Sequence, residues 1–282
     1  MENQTQSPAH SETVLKFEQV DLRFDDVVAM DKISFSMPPG ETRVILGAAG
    51  SGKTTVLKTA IGLLKPDSGH VYLYGQDITG LKERELFEIR SKVGVLFQEG
   101  GLFDSMTVGE NVGYPLVNRR FGQDKATDVD KKVREALRFV ELEQTVDKFP
   151  SELSGGMRRR VGIARAVVTE PPLVLYDSPT AGLDPITANT IMSLIAKERD
   201  TTNTANLIVT HRYQDGQVMA NFRYNSDSGH LEPASRNGSQ GGQSKSTVFM
   251  VMEQGRLVFE GNQHELESSR DEYVSKFVLR RQ

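Results

Sequence analysis

The sequence has 282 residues, of which 37% are hydrophobic and 26% are charged, with a formal net charge of −4 at pH 7 and no cysteine. This length suits one large α/β domain with an inserted subdomain, or two domains. The lack of cysteine excludes a disulfide framework and a thiolate metal site, and the acidic balance argues against a nucleic-acid partner. Because no run of about 18 apolar residues occurs, the sequence predicts no membrane-spanning helix.

The N-terminal part of the chain predicts β-strands. Residues 1–13 are polar and lack the apolar centre of a secretion signal, so we expect a disordered lead-in. Alternation of apolar and polar residues predicts an edge strand over 14–21, continued through a turn over 23–30, and another strand over 32–37. A Pro-Pro-Gly sequence ends this set, and it opens a core region that we place at 14–99.

A glycine-rich stretch inside that region is the most informative part of the sequence. Its residues, in the G-x-x-x-x-G-K-T pattern of a P-loop, are Gly47, Ala48, Ala49, Gly50, Ser51, Gly52, Lys53 and Thr54. A buried-strand pattern precedes it and a helical pattern follows, so its N–H groups and the helix dipole would face the β- and γ-phosphates of a nucleotide. Lys53 supplies a positive charge, and the hydroxyl of Thr54, with Thr55 beside it, would bind Mg²⁺. The alternative is a glycine-rich turn without a ligand, and the flanking elements favour the nucleotide site.

Strand and helix signals then alternate until the character of the chain changes at residue 100. The patterns predict a turn, a strand, a short helix and a buried strand at 65–69, 70–74, 83–90 and 93–97. Strand signals are missing from 100 to 153, where 107–119 and 128–142 have helical spacing. We therefore predict an inserted helical subdomain over 100–153.

The rest of the chain predicts a second half of the core, a loop and a C-terminal unit. Within 154–224, a helix, a strand, a helix and a strand are predicted at 154–168, 173–176, 185–199 and 205–210, an alternation typical of a parallel sheet. Residues 225–246 are rich in Ser, Gly, Asn and Gln, so we predict a flexible loop that cannot bury enough surface to offset chain entropy. A hairpin and two helices are predicted for 247–282.

Two further motifs have chemical meaning. Asp177 follows an apolar strand, where a P-loop enzyme places a second Mg²⁺-binding group, although such an Asp can also be a turn or a helix cap. Ser154 precedes Gly155 and Gly156 at a predicted helix start, where exposed N–H groups make a second anion-binding terminus. The alternative for Ser154 is an ordinary N-cap, but a helix rarely needs two glycines for capping alone.

Six motifs follow one another in the order found in ATP-binding-cassette (ABC) ATPases, so residues 14–266 resemble that family. They are the P-loop, Gln98 after a strand, LSGGM at 153–157, the strand into Asp177, AGLD at 181–184, and His211. The resemblance implies an α/β fold, that of a P-loop NTPase with a RecA-like core, an N-terminal antiparallel β subdomain and an inserted α-helical subdomain. Residues 96–108 look like the ATPases of Mla-type phospholipid transporters, which work with MCE-domain lipid-binding proteins.

The resemblance also implies a homodimer that encloses two ATP molecules with Mg²⁺. The P-loop of one copy would face LSGGM of the other, so that Ser154 and Gly156 would touch the γ-phosphate, with Gly155 and Asp184 also at the nucleotide. A transmembrane permease would hold the subunit at the cytoplasmic face of the inner membrane as a peripheral protein. An MCE-type protein would join through the complex.

The same resemblance implies roles for three single residues. Gln98 would meet Mg²⁺ and the attacking water, and His211 would contact the γ-phosphate. Phe24 falls where these ATPases place an aromatic ring against adenine, and its alternative role is core packing.

One position departs from the family pattern. Ser178 follows Asp177, where these ATPases carry a Glu that activates water, and a serine hydroxyl has no useful basicity near neutral pH. Loss of a general base typically costs about 10²–10⁴-fold in rate, although positioning and electrostatics leave a residual rate to which His211 could contribute. Three functions therefore stay open: a lipid-transport ATPase, an ATP-gated dimerising clamp with little hydrolysis, and an ABC ATPase for another cargo such as an amino acid.

Overall fold

The structure, a computed structural model, describes residues 13–118, 126–234 and 246–279. Most of the expected lead-in, and residues 235–245 of the expected flexible loop, lie outside this part of the chain. The strands are β1 (Leu15–Phe24), β2 (Val27–Met37), β3 (Thr42–Gly47), β4 (Ser68–Leu73), β5 (Gln76–Asp77), β6 (Val93–Leu96), β7 (Leu173–Asp177), β8 (Ala205–Thr210), β9 (Phe222–Asn225), β10 (His230–Pro233), β11 (Thr247–Glu253) and β12 (Arg256–Gly261). The helices are α1 (Lys53–Ala60), α2 (Glu83–Arg90), α3 (Val108–Val117), α4 (Ala126–Phe139), α5 (Gly155–Val167), α6 (Pro185–Thr202), α7 (Tyr213–Asn221), α8 (Gln263–Glu267) and α9 (Glu272–Leu279).

A six-stranded sheet forms the centre of the molecule, in the order β12-β11-β3-β8-β7-β6. All neighbours are parallel except β11 and β12. Leu46 pairs with Thr210, and Asp177 pairs with Val209, so these strands reach their carboxyl ends at one edge of the sheet. The predicted parallel sheet is confirmed, and its carboxyl edge is where loops of open α/β sheets carry ligand-binding residues.

The antiparallel sheet has the order β2-β1-β4-β5. The prediction of an edge strand at the start was wrong, because β1 pairs with β2 on one side and with β4 on the other. Leu15 and Phe17 are fully buried, as the alternation predicted. Alternation identifies the buried face of a strand but not how many neighbours bind its backbone.

Residues 101–153 contain helices and turns but no strand in their described part. Helix α3 begins with a capping box, in which Glu110 N donates to Thr107 Oγ1 at 3.2 Å and Thr107 N donates to Glu110 Oε2 at 2.7 Å. The buried side chain of Asn111 binds Phe103 N and O, Met106 O and Thr107 O at 2.8–3.1 Å. One amide thereby fixes the shape of the segment that leads away from Gln98.

The region after β8 differs from its prediction in two ways. A hairpin of β9 and β10, with Tyr224 opposite Leu231, occupies the first part of the predicted flexible loop. The low apolar content of 225–246 concealed Leu231, which packs against the core. Tyr224, which directly precedes that loop, has its ring centre 5.3 Å from Lys197 Nζ. Helix α7 was not predicted because Gly216 interrupts its helical pattern. Glycine is needed at this position, since a Cβ would lie 2.3 Å from the Phe249 ring.

In the described part of the chain, every helix falls short of the length and apolar character that a membrane-crossing segment requires.

Candidate functional site

The P-loop connects β3 to α1 at the carboxyl edge of the parallel sheet. Ala48, Ala49 and Gly50 are exposed, and Gly50 and Gly52 have φ values of +78° and +104°. A Cβ on Gly52 would lie 2.3 Å from Ala29 O, so glycine is required there on both counts. No side chain caps the start of α1, which leaves its first N–H groups directed at the loop, as a phosphate site needs.

Lys53 lies folded into this loop. Its Nζ donates to Ala48 O at 2.7 Å, to Gly47 O at 2.8 Å and to Ser51 Oγ at 3.3 Å. Burial lowers the pKa of Lys53 to about 8, and the negative charge of Asp177 acts in the opposite direction. A cation held by loop carbonyls at the start of a helix is suited to anionic oxygens, which would take over its hydrogen bonds.

Asp177 ends β7 and is 5% exposed. Ser178 Oγ donates to Asp177 Oδ1 at 3.1 Å, and Ser178 itself has a φ of +50° in the left-handed region. Among the described residues no group of three or more His, Cys, Asp and Glu could hold a metal ion. The oxygen donors available at this edge, from Asp177, Thr54 and Gln98, suit Mg²⁺, which keeps several waters and takes few protein ligands.

Gln98 and His211 are exposed. They follow β6 and β8, the two strands on either side of β7, at the same edge of the sheet. Gln98 begins a short turn after β6 that ends at Gly100. This turn is held against α5, because Arg165 Nη2 donates to Gly100 O at 3.0 Å. His211 follows β8 and lines a cavity of about 400 Å³ together with Gly47, Ala48 and Ala49. The structure thus brings the P-loop and His211 together.

The second predicted anion site lies in a different cavity. Ser154 caps α5 by accepting from Met157 N at 3.3 Å, and Asp184 caps α6 by accepting from Ile186 N and Thr187 N, both at 3.0 Å. Hydrogen bonds to Thr187 are the main reason that the pKa of Asp184 is lowered. Ser154, Gly155, Gly156 and Asp184 line a cavity of about 640 Å³ in which no P-loop residue takes part.

Phe24 ends β1 and is 45% exposed. This exposure disagrees with the core-packing alternative for Phe24. Phe24 lines neither the cavity beside His211 nor the cavity beside Ser154.

Sequence reasoning missed two residues that shape the site. Arg159 is 4% exposed, and its Nη1 donates to Pro179 O at 2.8 Å and to Ala181 O at 2.9 Å, so it fixes the loop after Asp177. The Arg158–Arg160 run resembles a solvated basic face, and only its helical phase could have singled out the middle residue. Tyr273 of α9 accepts from Ala48 N at 3.3 Å, a contact across 225 positions with no local signal.

A protein-family model described as ABC transporter matches residues 30–181. The probable ribonucleotide transport ATP-binding protein mkl of Mycobacterium leprae is 41% identical over 64% of this chain and 52% of that protein. The methionine import ATP-binding protein MetN of Bifidobacterium longum is 38% identical over 68% of this chain and 47% of that protein. The intermembrane phospholipid transport system ATP-binding protein MlaF of Haemophilus influenzae is 34% identical over 76% of this chain and 80% of that protein. The chain thus spans about half the length of mkl and MetN.

A solved structure has the same fold. It is the dimeric structure of a post-hydrolysis state of the ATP-binding cassette MJ0796 bound to ADP and Pi, 28% identical to this chain with a TM-score of 0.73. The match covers 88% of this chain and 98% of that one.

Proposed function

The chain belongs to the ABC transporter family and has the fold of its ATPases, which bind ATP with Mg²⁺, and we propose that it is the ATP-hydrolysing subunit of a phospholipid transporter. The observation that supports the ATPase role is the position of the P-loop, Asp177 and His211 at the carboxyl ends of the adjacent strands β3, β7 and β8, with the P-loop and His211 lining one cavity. The subunit would work as a homodimer with a membrane permease.

In this function each residue at the sheet edge has a separate task. The N–H groups of the P-loop bind the phosphates, where that of Ala48 exchanges the Tyr273 hydroxyl for a phosphate oxygen, and Lys53 exchanges its carbonyl partners for phosphate oxygens. Mg²⁺, when bound, neutralises charge on the β- and γ-phosphates, and Thr54, Asp177 and Gln98 would hold it. His211 would contact the γ-phosphate, and Phe24 would stack on the adenine base.

The separation of the two cavities supports the homodimer. A γ-phosphate on the P-loop would have no contact with Ser154 and Gly156 of the same chain, because these two residues line the other cavity. A second copy related by two-fold symmetry would bring its own α5 start to that phosphate. The related MJ0796 cassette is dimeric in its complex with ADP and Pi.

Two observations support a phospholipid cargo. The segment 96–108 resembles that of Mla-type ATPases, and MlaF is matched over 80% of its length, whereas mkl and MetN are matched over 52% and 47% of theirs. In this segment, Phe103 is 42% exposed and packs on Tyr114 with ring centroids 4.8 Å apart. We assign the exposed face of Phe103, with Leu102 and Met106 beside it, to the permease contact, and an MCE-type protein would join through the permease.

The second candidate function is the ATP-gated clamp, and Ser178 favours it. Ser178 supplies no base, and its hydroxyl donates to Asp177 instead. Such a subunit would bind ATP and close its dimer but release phosphate slowly.

One reconstitution separates these functions. The chain is purified with its permease and placed in phospholipid vesicles, and phosphate release and ATP-dependent lipid transfer are measured. We expect both activities, and we expect methionine and ribonucleotides to leave the ATPase rate unchanged. Lipid transfer without turnover would support the clamp, and stimulation by methionine or a ribonucleotide would contradict the lipid cargo.

A further inference from the structure

Two loops at the sheet edge carry the residues assigned to hydrolysis. The first, residues 178–184 after β7, contains Ser178 and Asp184, and the second, between β8 and α7, contains His211. Strands β7 and β8 pair as far as Asp177 and Val209, and Ser178 N still donates to Val209 O at 2.8 Å. The first loop leaves the sheet after Ser178, and the second leaves it after Thr210, which still pairs with Leu46 of β3. The relative position of the two loops therefore depends on contacts other than the ladder between β7 and β8.

The side chain of Asp215 makes such a contact. It lies in the first turn of α7 and is 1% exposed. Its Oδ2 accepts hydrogen bonds from Thr180 Oγ1 and from Thr210 Oγ1, each at 2.6 Å. Because Thr180 belongs to the first loop and Thr210 directly precedes His211, one carboxylate oxygen joins the two loops.

A carboxylate is well suited to this place. Thr180 and Thr210 are both buried, so each hydroxyl needs an acceptor inside the protein, and an ionised oxygen accepts two short, charge-assisted bonds at once. Burial raises the pKa of Asp215. The bonds from Thr180 and Thr210 and the charge of Arg212, whose Nε lies 3.7 Å from Asp215 Oδ1, act in the opposite direction, as does the dipole at the start of α7. Thr210 Oγ1 also accepts from Arg212 N at 3.0 Å, which extends the connection across His211.

The first loop is held from its other side by a different element. Arg159 of α5 donates to the carbonyls of Ser178, Pro179 and Ala181 at 3.4, 2.8 and 2.9 Å. Arg159 therefore sets the first loop relative to α5, whereas Asp215 sets it relative to the second loop. The two contacts have separate consequences that variants can distinguish.

We propose that Asp215 is a positioning residue for ATP hydrolysis, which keeps the loop of Ser178 and Asp184 in register with His211 through Thr180 and Thr210. The proposal rests on the proposed ATPase function. Because Ser178 supplies no base, the rate depends on the placement of the remaining groups. A displaced loop would then lower kcat, while ATP binding at the P-loop would be retained.

The test uses the full chain with Thr180→Val, Thr210→Val and the double variant, which remove a hydroxyl at nearly constant volume. Without nucleotide, amide hydrogen exchange in peptides covering 178–184 should rise about threefold or more in Thr180→Val. With ATP, kcat should fall about tenfold and KM should stay within about twofold. Since either valine breaks the same bridge, the double variant should be no worse than the more impaired single variant.

Two further variants separate positioning from loss of stability. Thr180→Ser keeps the hydroxyl and should restore the exchange of wild type. Thr145→Val removes another buried hydroxyl, which donates to Leu142 O at 2.7 Å in the helical subdomain. It should lower the melting temperature without changing the exchange of 178–184.

The proposal is overturned if Thr180→Val shows wild-type exchange in 178–184, or if the two valines act additively on kcat. A wild-type chain that fails to bind or hydrolyse ATP would contradict the proposed function instead. The exchange measurement needs no nucleotide, so it decides in either case whether the bridge holds the loops.

Discussion

The two helix starts that can face phosphate differ in what each supplies. The start of α1 has exposed loop amides, the cation of Lys53 and the buried carboxylate of Asp177 within its electrostatic range. The start of α5 has amides beside Ser154 and two glycines, and its cavity adjoins Asp184 rather than any P-loop residue. Charge and metal ligands are thus concentrated on one side and nearly bare amides on the other, so neither side alone surrounds a γ-phosphate.

Removal of Lys53 should have the largest effect on the α1 side. We expect Lys53→Ala to weaken ATP binding by about 100-fold or more, because the phosphates lose a charged hydrogen-bond partner. Isothermal titration with ATP and Mg²⁺ measures this. Lys58→Ala, at an exposed position of the same helix, is the control and should bind like wild type. Equal affinity of Lys53→Ala and wild type would contradict the nucleotide assignment.

A carboxylate at position 178 should restore the base that the family pattern contains. We expect Ser178→Glu to raise the steady-state ATPase rate by about 10²-fold, with ATP affinity unchanged or slightly lower. Ser178→Gln introduces a side chain of the same shape as glutamate but without its basicity, and it should not accelerate turnover. A wild-type rate of about 1 s⁻¹ or faster, in the usual enzyme range, would exclude the clamp function and leave water activation to another group.

A charge at Phe103 should separate permease binding from nucleotide binding. We expect Phe103→Asp to reduce co-purification with the permease by about tenfold or more, because an exposed apolar anchor is replaced by a hydrated charge. Its affinity for ATP should match wild type. Phe149→Asp, at a residue that is 43% exposed where Phe103 is 42% exposed, is the control and should co-purify normally. Full recovery of the complex with Phe103→Asp would place the permease contact elsewhere.

The pH dependence of ATP binding should report on Lys53 with a smaller effect. Burial lowers the pKa of Lys53 to about 8, so the ammonium is present below this pH and is lost as the pH rises through it. Apparent affinity should therefore fall above pH 8, by at most about tenfold per pH unit. Lys53→Arg, which stays charged, should show a flat profile over the same range. A flat profile for wild type would contradict the lowered pKa.

The same contrast explains what the sequence could predict. The P-loop is contiguous, so its glycines, cation and flanking elements were identified from their order in the chain. Asp215 and Thr180 are 35 positions apart, and Arg159 reaches the first loop from another helix, so only packing reveals them. The hairpin of β9 and β10 was missed because a few contacts, such as those of Tyr224 and Leu231, stabilise a segment whose average composition is polar.

Mixing two inactive variants tests most directly whether the site needs two copies. Lys53→Ala removes the cation on the α1 side, and Gly155→Glu places a carboxylate on the first residue of α5, where a Cβ meets open space. Phosphate release is measured for each variant and for their equal mixture. The measurement is repeated with chains that all carry Ser178→Glu as a further substitution. We expect each mixed dimer to keep one intact site. Half of the dimers in the mixture are mixed, so it should recover about a quarter of the turnover of the chain without these two substitutions. A mixture no faster than its separate components, with both variants folded, would contradict a site shared between two chains.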